Sequence, residues 1–156
     1  MKHWIAAVSV AALVALPSAA ESWGVNAEPE TPEGSKPFCM LWYGSTSPMM
    51  NLTVMADRIF FSSRASAFDG MQDGTEGSIT FPGGQSLASP QVRKLGPDTL
   101  ALFLSPSLFE PVLDQLKVDG DITFKANGQS VIFPATNLAS GIEILKSCTA
   151  KLPPAD

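Results

Sequence analysis

Residues 121 to 134 read D-I-T-F-K-A-N-G-Q-S-V-I-F-P, two alternating runs joined by Asn-Gly. Both turn residues tolerate the positive φ of a type I′ turn, so Asn127-Gly128 predicts a tight β-hairpin. With those two as the loop, Ala126 faces Gln129, Phe124 faces Val131 and Ile122 faces Phe133. All three large pairs fall on one side of the ribbon, while Lys125 and Ser130 fall on the other. One face of the hairpin is therefore expected to pack into a core.

Helical spacing flanks this ribbon. Before it, Leu108, Phe109, Val112, Leu113 and Leu116 recur on one helical face. Ser105 with Pro106 offers one start, and Ser107 with Glu110 a competing capping box. Pro111 favours the later start or a kink, because deep in a helix it would cost about 3 kcal/mol. After the ribbon, a helix is expected from about Asn137 to Ser147, burying Leu138, Ile142 and Leu145 and ending close to Cys148.

Further upstream the dominant period is two. Phe38 to Tyr43 is a nearly continuous apolar run between Pro37 and Gly44, as expected for a buried strand. Cys39, Leu41 and Tyr43 share one face of it, and Phe38, Met40 and Trp42 the other. Leu52, Val54 and Ala56 alternate with polar residues, and Ile59-Phe60-Phe61 completes a small meander. Ser78 to Phe81 stops at Pro82-Gly83-Gly84, and Val92 to Leu95 and Leu100 to Leu104 are further strands around a Gly96-Pro97-Asp98 turn.

The N-terminus divides into two parts. A basic start, an apolar run from Ile5 to Leu16 too short to span a bilayer, and small residues before a cut after Ala20 mark residues 1–20 as a secretory signal peptide. Its Ala-rich style points to a bacterium and to the periplasm, with export to the medium as the other destination. Residues 21–37 hold three prolines and four glutamates with almost no periodicity, and read as a mobile acidic leader or linker. Within it, Trp23 and Val25 could dock as a short edge strand. The expected architecture is a single α+β domain over 38–150, followed by a tail at 151–156. It should have about six to eight short, mostly antiparallel strands and two helices.

Charge and composition remove whole classes of chemistry. The 156-residue chain carries ten Lys and Arg against fifteen Asp and Glu; loss of Lys2 with the signal brings the net charge near −6. That balance argues against nucleic acid and anionic lipid surfaces as partners, and no second apolar run approaches membrane length. The only histidine, His3, leaves with the signal, taking every imidazole base and metal ligand with it. Without histidine a serine nucleophile would need a lysine, and the mature chain has neither an S-x-x-K spacing nor a G-x-S-x-G elbow.

Cys39 and Cys148 do not form C-x-x-C and have no histidine partner, so in an oxidising compartment they are expected to form a disulfide clasping the two ends of the domain. Met40, Met49, Met50 and Met55 beside Trp42 could hold Cu(I), although methionine is also an ordinary core filler. Asp69, Asp73 and Glu76 could gather around Ca²⁺ without the D-x-D-x-D-G pattern, or simply form a solvated loop. Asn51-Leu52-Thr53 is a glycosylation sequon, meaningful only in a eukaryote, and phosphate-cradling loops are absent. No cofactor or metal is implied.

The layout resembles small alphaproteobacterial periplasmic proteins of the invasion-associated-locus-B type over residues 22–148. The resemblance rests on Trp23, Cys39, the strand-helix-hairpin from Leu100 to Phe133, and the closing I-E-I-L-K-S-C from Ile142. It implies a β-rich protein with surface or host-interaction roles and no active site to carry over. The chain departs from that pattern in having Asn26-Ala27 where an early cysteine would stand, and one cysteine pair instead of two.

These features together predict an exported, non-enzymatic binding module acting on a protein or envelope component, with Trp42, Tyr43, Met49 and Met50 as its expected interaction surface. The alternative is a small carboxylate-dependent hydrolase acting on envelope glycans. Two acids facing each other in a cleft would favour the enzyme, and an exposed apolar patch near Trp42 would favour binding.

Overall fold

A computed structural model describes residues 22–89 and 91–155; the signal segment expected at 1–20 lies outside the described residues. The elements in chain order are β1 (Trp23–Val25), β2 (Phe38–Tyr43), β3 (Met49–Met55), β4 (Ile59–Arg64), β5 (Gly77–Thr80), β6 (Ser86–Ser89), β7 (Arg93–Gly96) and β8 (Thr99–Leu104). They are followed by α1 (Phe109–Leu116), β9 (Gly120–Ala126), β10 (Gln129–Ala135) and α2 (Ala139–Thr149). Short 3-10 turns occupy Ser66–Phe68 and Pro106–Leu108. All strand pairs are antiparallel, in a six-stranded sheet of order β1-β2-β3-β4-β8-β7 and a four-stranded sheet of order β10-β9-β5-β6. The fold is thus the α+β, mostly antiparallel domain expected, with ten strands instead of six to eight.

The hairpin behaves as its sequence dictates. Ala126 pairs Gln129, Phe124 pairs Val131 and Ile122 pairs Phe133, around Asn127 at φ 47° and Gly128 at φ 77°. Ile122, Phe124, Ala126, Phe133 and Ala135 are buried, whereas Ile132, one step out of phase, is 60% exposed. No atom lies within 4 Å of a Cβ built on Gly128, so replacing it with alanine adds no clash and isolates the conformational term. Gly128→Ala should destabilise by about 1 to 2 kcal/mol, the cost of a left-handed residue with a side chain. Urea unfolding measures it, and an unchanged midpoint would show that the turn does not depend on positive φ.

One continuous core lies between the sheets. Tyr43 of β2 meets Phe133 of β10 edge-on at 5.9 Å, Phe61 of β4 meets Phe81 at 6.0 Å, and Phe68 lies 5.6 Å from Phe124. α2 buries Ile142, Leu145 and Cys148. Its Cys148 is bonded to Cys39 of β2 across a Cα separation of 6.0 Å, so the expected staple is present and joins helix to sheet.

Three local readings change. The sheet begins earlier than Phe38, because β1 pairs with β2 and Trp23 Nε1 donates to the Pro134 carbonyl at 2.6 Å, the docking that Trp23 and Val25 allow. Asn26 then replaces a strand partner: its Oδ1 accepts the Met40 N–H at 2.6 Å, and its own N–H bonds to the Met40 carbonyl. Ser107 forms no capping box; Pro106–Leu108 is a 3-10 turn and α1 starts at Phe109, which places Pro111 in the first turn where a missing N–H costs nothing. α2 begins later than Asn137, which adopts φ 56°, and runs through Cys148 instead of ending before it.

Candidate functional site

The two faces of the six-stranded sheet have different fates. Cys39, Leu41, Met50, Leu52, Ile59 and Phe61 point into the core and are almost fully buried. Among the described residues, no layer covers the opposite face. By register, one row across it runs Met40, Thr53, Phe60, Phe103, and the next runs Trp42, Asn51, Ser62, Ala101, Arg93. Phe38 pairs with Met55 at one end of this face, and Met49 with Arg64 at the other.

Packing on this face is tight without being closed. The Phe60 and Phe103 rings lie 4.9 Å apart at 33°, and Phe103 is 40% exposed. The Trp42 indole lies directly against Gly24 of β1, occupying the space a Cβ there would need. Thr53 and Ser62 point outward yet are only 8% and 6% exposed, because their larger neighbours shield them. Asn51 Oδ1, between Trp42 and Ser62, is enclosed without a hydrogen-bond partner among the described residues. The result is a sheet face on which Met40, Trp42 and Phe60 are partly exposed and Phe103 is exposed, and which is closed at Thr53, Ser62 and Ala101.

The expected interaction residues split along this division. Trp42 and Met49 stand on the open face; Met50 is fully buried and Tyr43 packs between Trp23 and Phe133. Met50 and Tyr43 therefore belong to the core, since adjacent strand residues must point to opposite faces. Phe60 and Phe103 belong to the surface instead. Their strands read as continuous apolar runs, which conceals the out-of-phase positions from any alternation test.

Charge is segregated around this site. The six strands carry Arg64, Arg93 and Lys94 and no carboxylate, in a chain with an excess of acids. Arg64 Nε is paired with Asp98 at 3.1 Å, and the guanidinium holds that carboxyl below its usual range. In the β3–β4 turn, Arg58 and Lys36 flank Asp57 at 3.2 and 3.1 Å and bring its pKa down to about 2. No ion pair of Arg93 is found among the described residues. These exposed pairs contribute little stability and serve mainly to place charge at the rim.

The register also bears on the methionines. Met49 and Met55 are six residues apart on β3, about 20 Å at strand rise, and Met50 is on the other face. Only Met40 and Met55 are diagonal neighbours, so the four thioethers cannot converge on one Cu(I) ion.

A second feature is a polar cleft of about 1200 Å³ between the acidic loop and the hairpin tip, lined by Asp69, Glu76, Lys125 and Gln129 among others. The loop is pinned: the Gly74 N–H donates to the Val92 carbonyl at 2.9 Å, the Val92 N–H donates to the Thr75 carbonyl at 2.7 Å, and Asp73 Oδ1 accepts the Lys94 N–H at 2.8 Å. Asp73 is thereby engaged as a loop fastener, and among the described residues no three acidic, cysteine or histidine side chains are grouped to hold a metal ion. No described helix is long and apolar enough to cross a membrane. Compared with protein-family models, curated proteins and solved structures, the chain matches none.

Proposed function

We propose that the protein is an exported, non-enzymatic binding module whose open sheet face receives an apolar protein surface rimmed with carboxylates, in the periplasm of a bacterium. The observation that carries this reading is the Phe60–Phe103 pair, with Phe103 exposed, on the same open face as Trp42 and Met40, on a sheet whose only strand charges are cationic. Large apolar side chains left on an open sheet face are retained where something covers them. Aromatic, Met and Arg side chains are also those enriched in protein interfaces. The buried disulfide suits an oxidising compartment, and the short apolar run before Ala20 supplies the route to one.

Replacing Phe60 and Phe103 together with threonine keeps strand propensity while removing the aromatic ridge. Crosslinked capture from the native envelope should enrich a partner with the wild-type chain. The double variant should retain less than about a tenth of it, as expected when central aromatic anchors are lost. Circular dichroism should be unchanged. Equal capture by both proteins, or no enrichment at physiological abundance, would reject the reading.

The second reading, a carboxylate-dependent hydrolase acting on envelope glycans, rests on Asp69 and Glu76 lining one cleft. Both side chains are exposed, whereas glycan hydrolases enclose their acid in an apolar setting. Binding is therefore the better supported of the two.

A further inference from the structure

Each sheet ends in two edges, and the four are not treated alike. β1 is three residues long and tied to Pro134 through Trp23. β7 carries Arg93 and Lys94, breaks register between Lys94 and Gly96, and has the Lys94 N–H capped by Asp73. β6 is four residues long. Short length, cations and bulges are the usual devices that stop an edge from recruiting another strand. β10 has none of these three, and its one proline, Pro134, stands next to its far end: the strand is seven residues long, uncharged, in unbroken register with β9, and exposes Ile132 by 60%.

The hairpin geometry says which backbone groups are free. In a two-residue hairpin the pair flanking the loop, Ala126 and Gln129, is hydrogen-bonded, and bonded pairs then recur at every second residue. Gln129, Val131, Phe133 and Ala135 therefore bond inward to β9, and Ser130, Ile132 and Pro134 point their backbone groups outward. Two observations agree with this phase: Pro134 has no N–H to contribute to the ladder, and its carbonyl is the one that reaches out to Trp23. Among the described residues the free groups are thus those of Ser130 and Ile132, placed symmetrically about Val131.

We infer that this edge is where two copies of the chain pair, antiparallel, with the two-fold axis at Val131. That register sets Ser130 against Ile132 of the second copy and Ile132 against its Ser130, so every free N–H and C=O on the stretch finds a partner. A register centred on Ile132 would instead oppose Ser130 to Pro134 and leave a carbonyl without a donor. The pairing is self-complementary, brings no like charges together and covers the half-buried Val131 and the exposed Ile132. It is a different surface from the open sheet face and does not depend on the binding role proposed for that face.

The test is sedimentation velocity of the purified protein over a range of concentrations up to millimolar, combined with amide hydrogen exchange. A reversible dimer is expected, with exchange at Ser130 and Ile132 slowing as concentration rises. Ile132→Pro removes only an outward N–H, as Pro134 already does in the same strand, and Ile132→Lys places a charge on the edge. Both variants should remain folded and weaken the dimer at least about tenfold, a change of roughly 1.4 kcal/mol, while the Phe60/Phe103 threonine variant should dimerise as wild type. A monomer at every concentration, a dimer unaffected by both Ile132 variants, or protection confined to another surface overturns the inference.

Discussion

Replacing Cys39 and Cys148 with alanine should lower the free energy of unfolding by about 2 to 5 kcal/mol, the largest change expected from any single covalent feature of the chain. The bond joins residues 109 apart, so it removes conformations from almost the whole unfolded chain. A loop of that order is worth nearly 5 kcal/mol in the chain-entropy description, and native packing that persists without the bond reduces the loss. Both sulfur positions are fully buried, one beneath α2 and one on the core face of β2. Alanine is the informative replacement, because serine would add two enclosed hydroxyls without assured partners. Urea titrations of wild type, reduced wild type and the double variant measure the effect. A loss below about 1 kcal/mol would mean that α2 is held to the sheet by apolar packing alone.

Phe133→Ala should cost about 3 to 5 kcal/mol, while Ile132→Ala, one residue away, should change the stability of the monomer by less than about 0.5 kcal/mol. Phe133 is fully buried and meets Tyr43 across the space between the sheets, so its removal opens a cavity where the two layers touch. Ile132 has the same hydrophobicity class and the same strand, but points to solvent. Thermal or urea unfolding of dilute protein separates the two. Equal losses at both positions would contradict the facing of the hairpin and, with it, the phase from which the free edge of β10 is deduced.

Several strands were legible because their chemistry is local. Asn127-Gly128 dictates a turn, the turn dictates register, and register dictates which side chains share a face, without reference to the rest of the chain. Cys39 and Cys148 were readable as a pair because no other thiol exists and the one histidine, His3, lies in the segment expected to be removed. β6 was not legible: Ser86-Leu87-Ala88-Ser89 offers one large apolar side chain, and only pairing with β5 makes it a strand. The start of α1 was ambiguous between two caps; the helical segment begins at the earlier one, as a 3-10 turn with Ser105 at its N-cap position and Pro106 first, makes no side-chain cap bond, and becomes α-helical only at Phe109.

The open face of the sheet was legible only in part. Trp42 and Met49, expected at an interaction surface, lie on that face, whereas Met50 and Tyr43, expected beside them, pack in the core by strand parity. Phe60 and Phe103 stand on the same face without a sequence signal for it. Each lies in a run such as Ile59-Phe60-Phe61 or Leu102-Phe103-Leu104, which reads identically whether a sheet is covered on both sides or on one.

By itself, then, the amino-acid sequence determined the hairpin and its register, the types of most strands and both helices, and the cysteine pair, all of which depend on residue identity and spacing along the chain. Which sheet each strand joins, that among the described residues α2 and the second sheet cover one face of the six-stranded sheet, and that Phe60 and Phe103 meet on the other face, the face that also carries Trp42, were decided by tertiary structure alone. A strand records in its own residues that it has two faces, but whether a face is covered depends on which distant segments reach it, and that is a balance of burial over the whole chain.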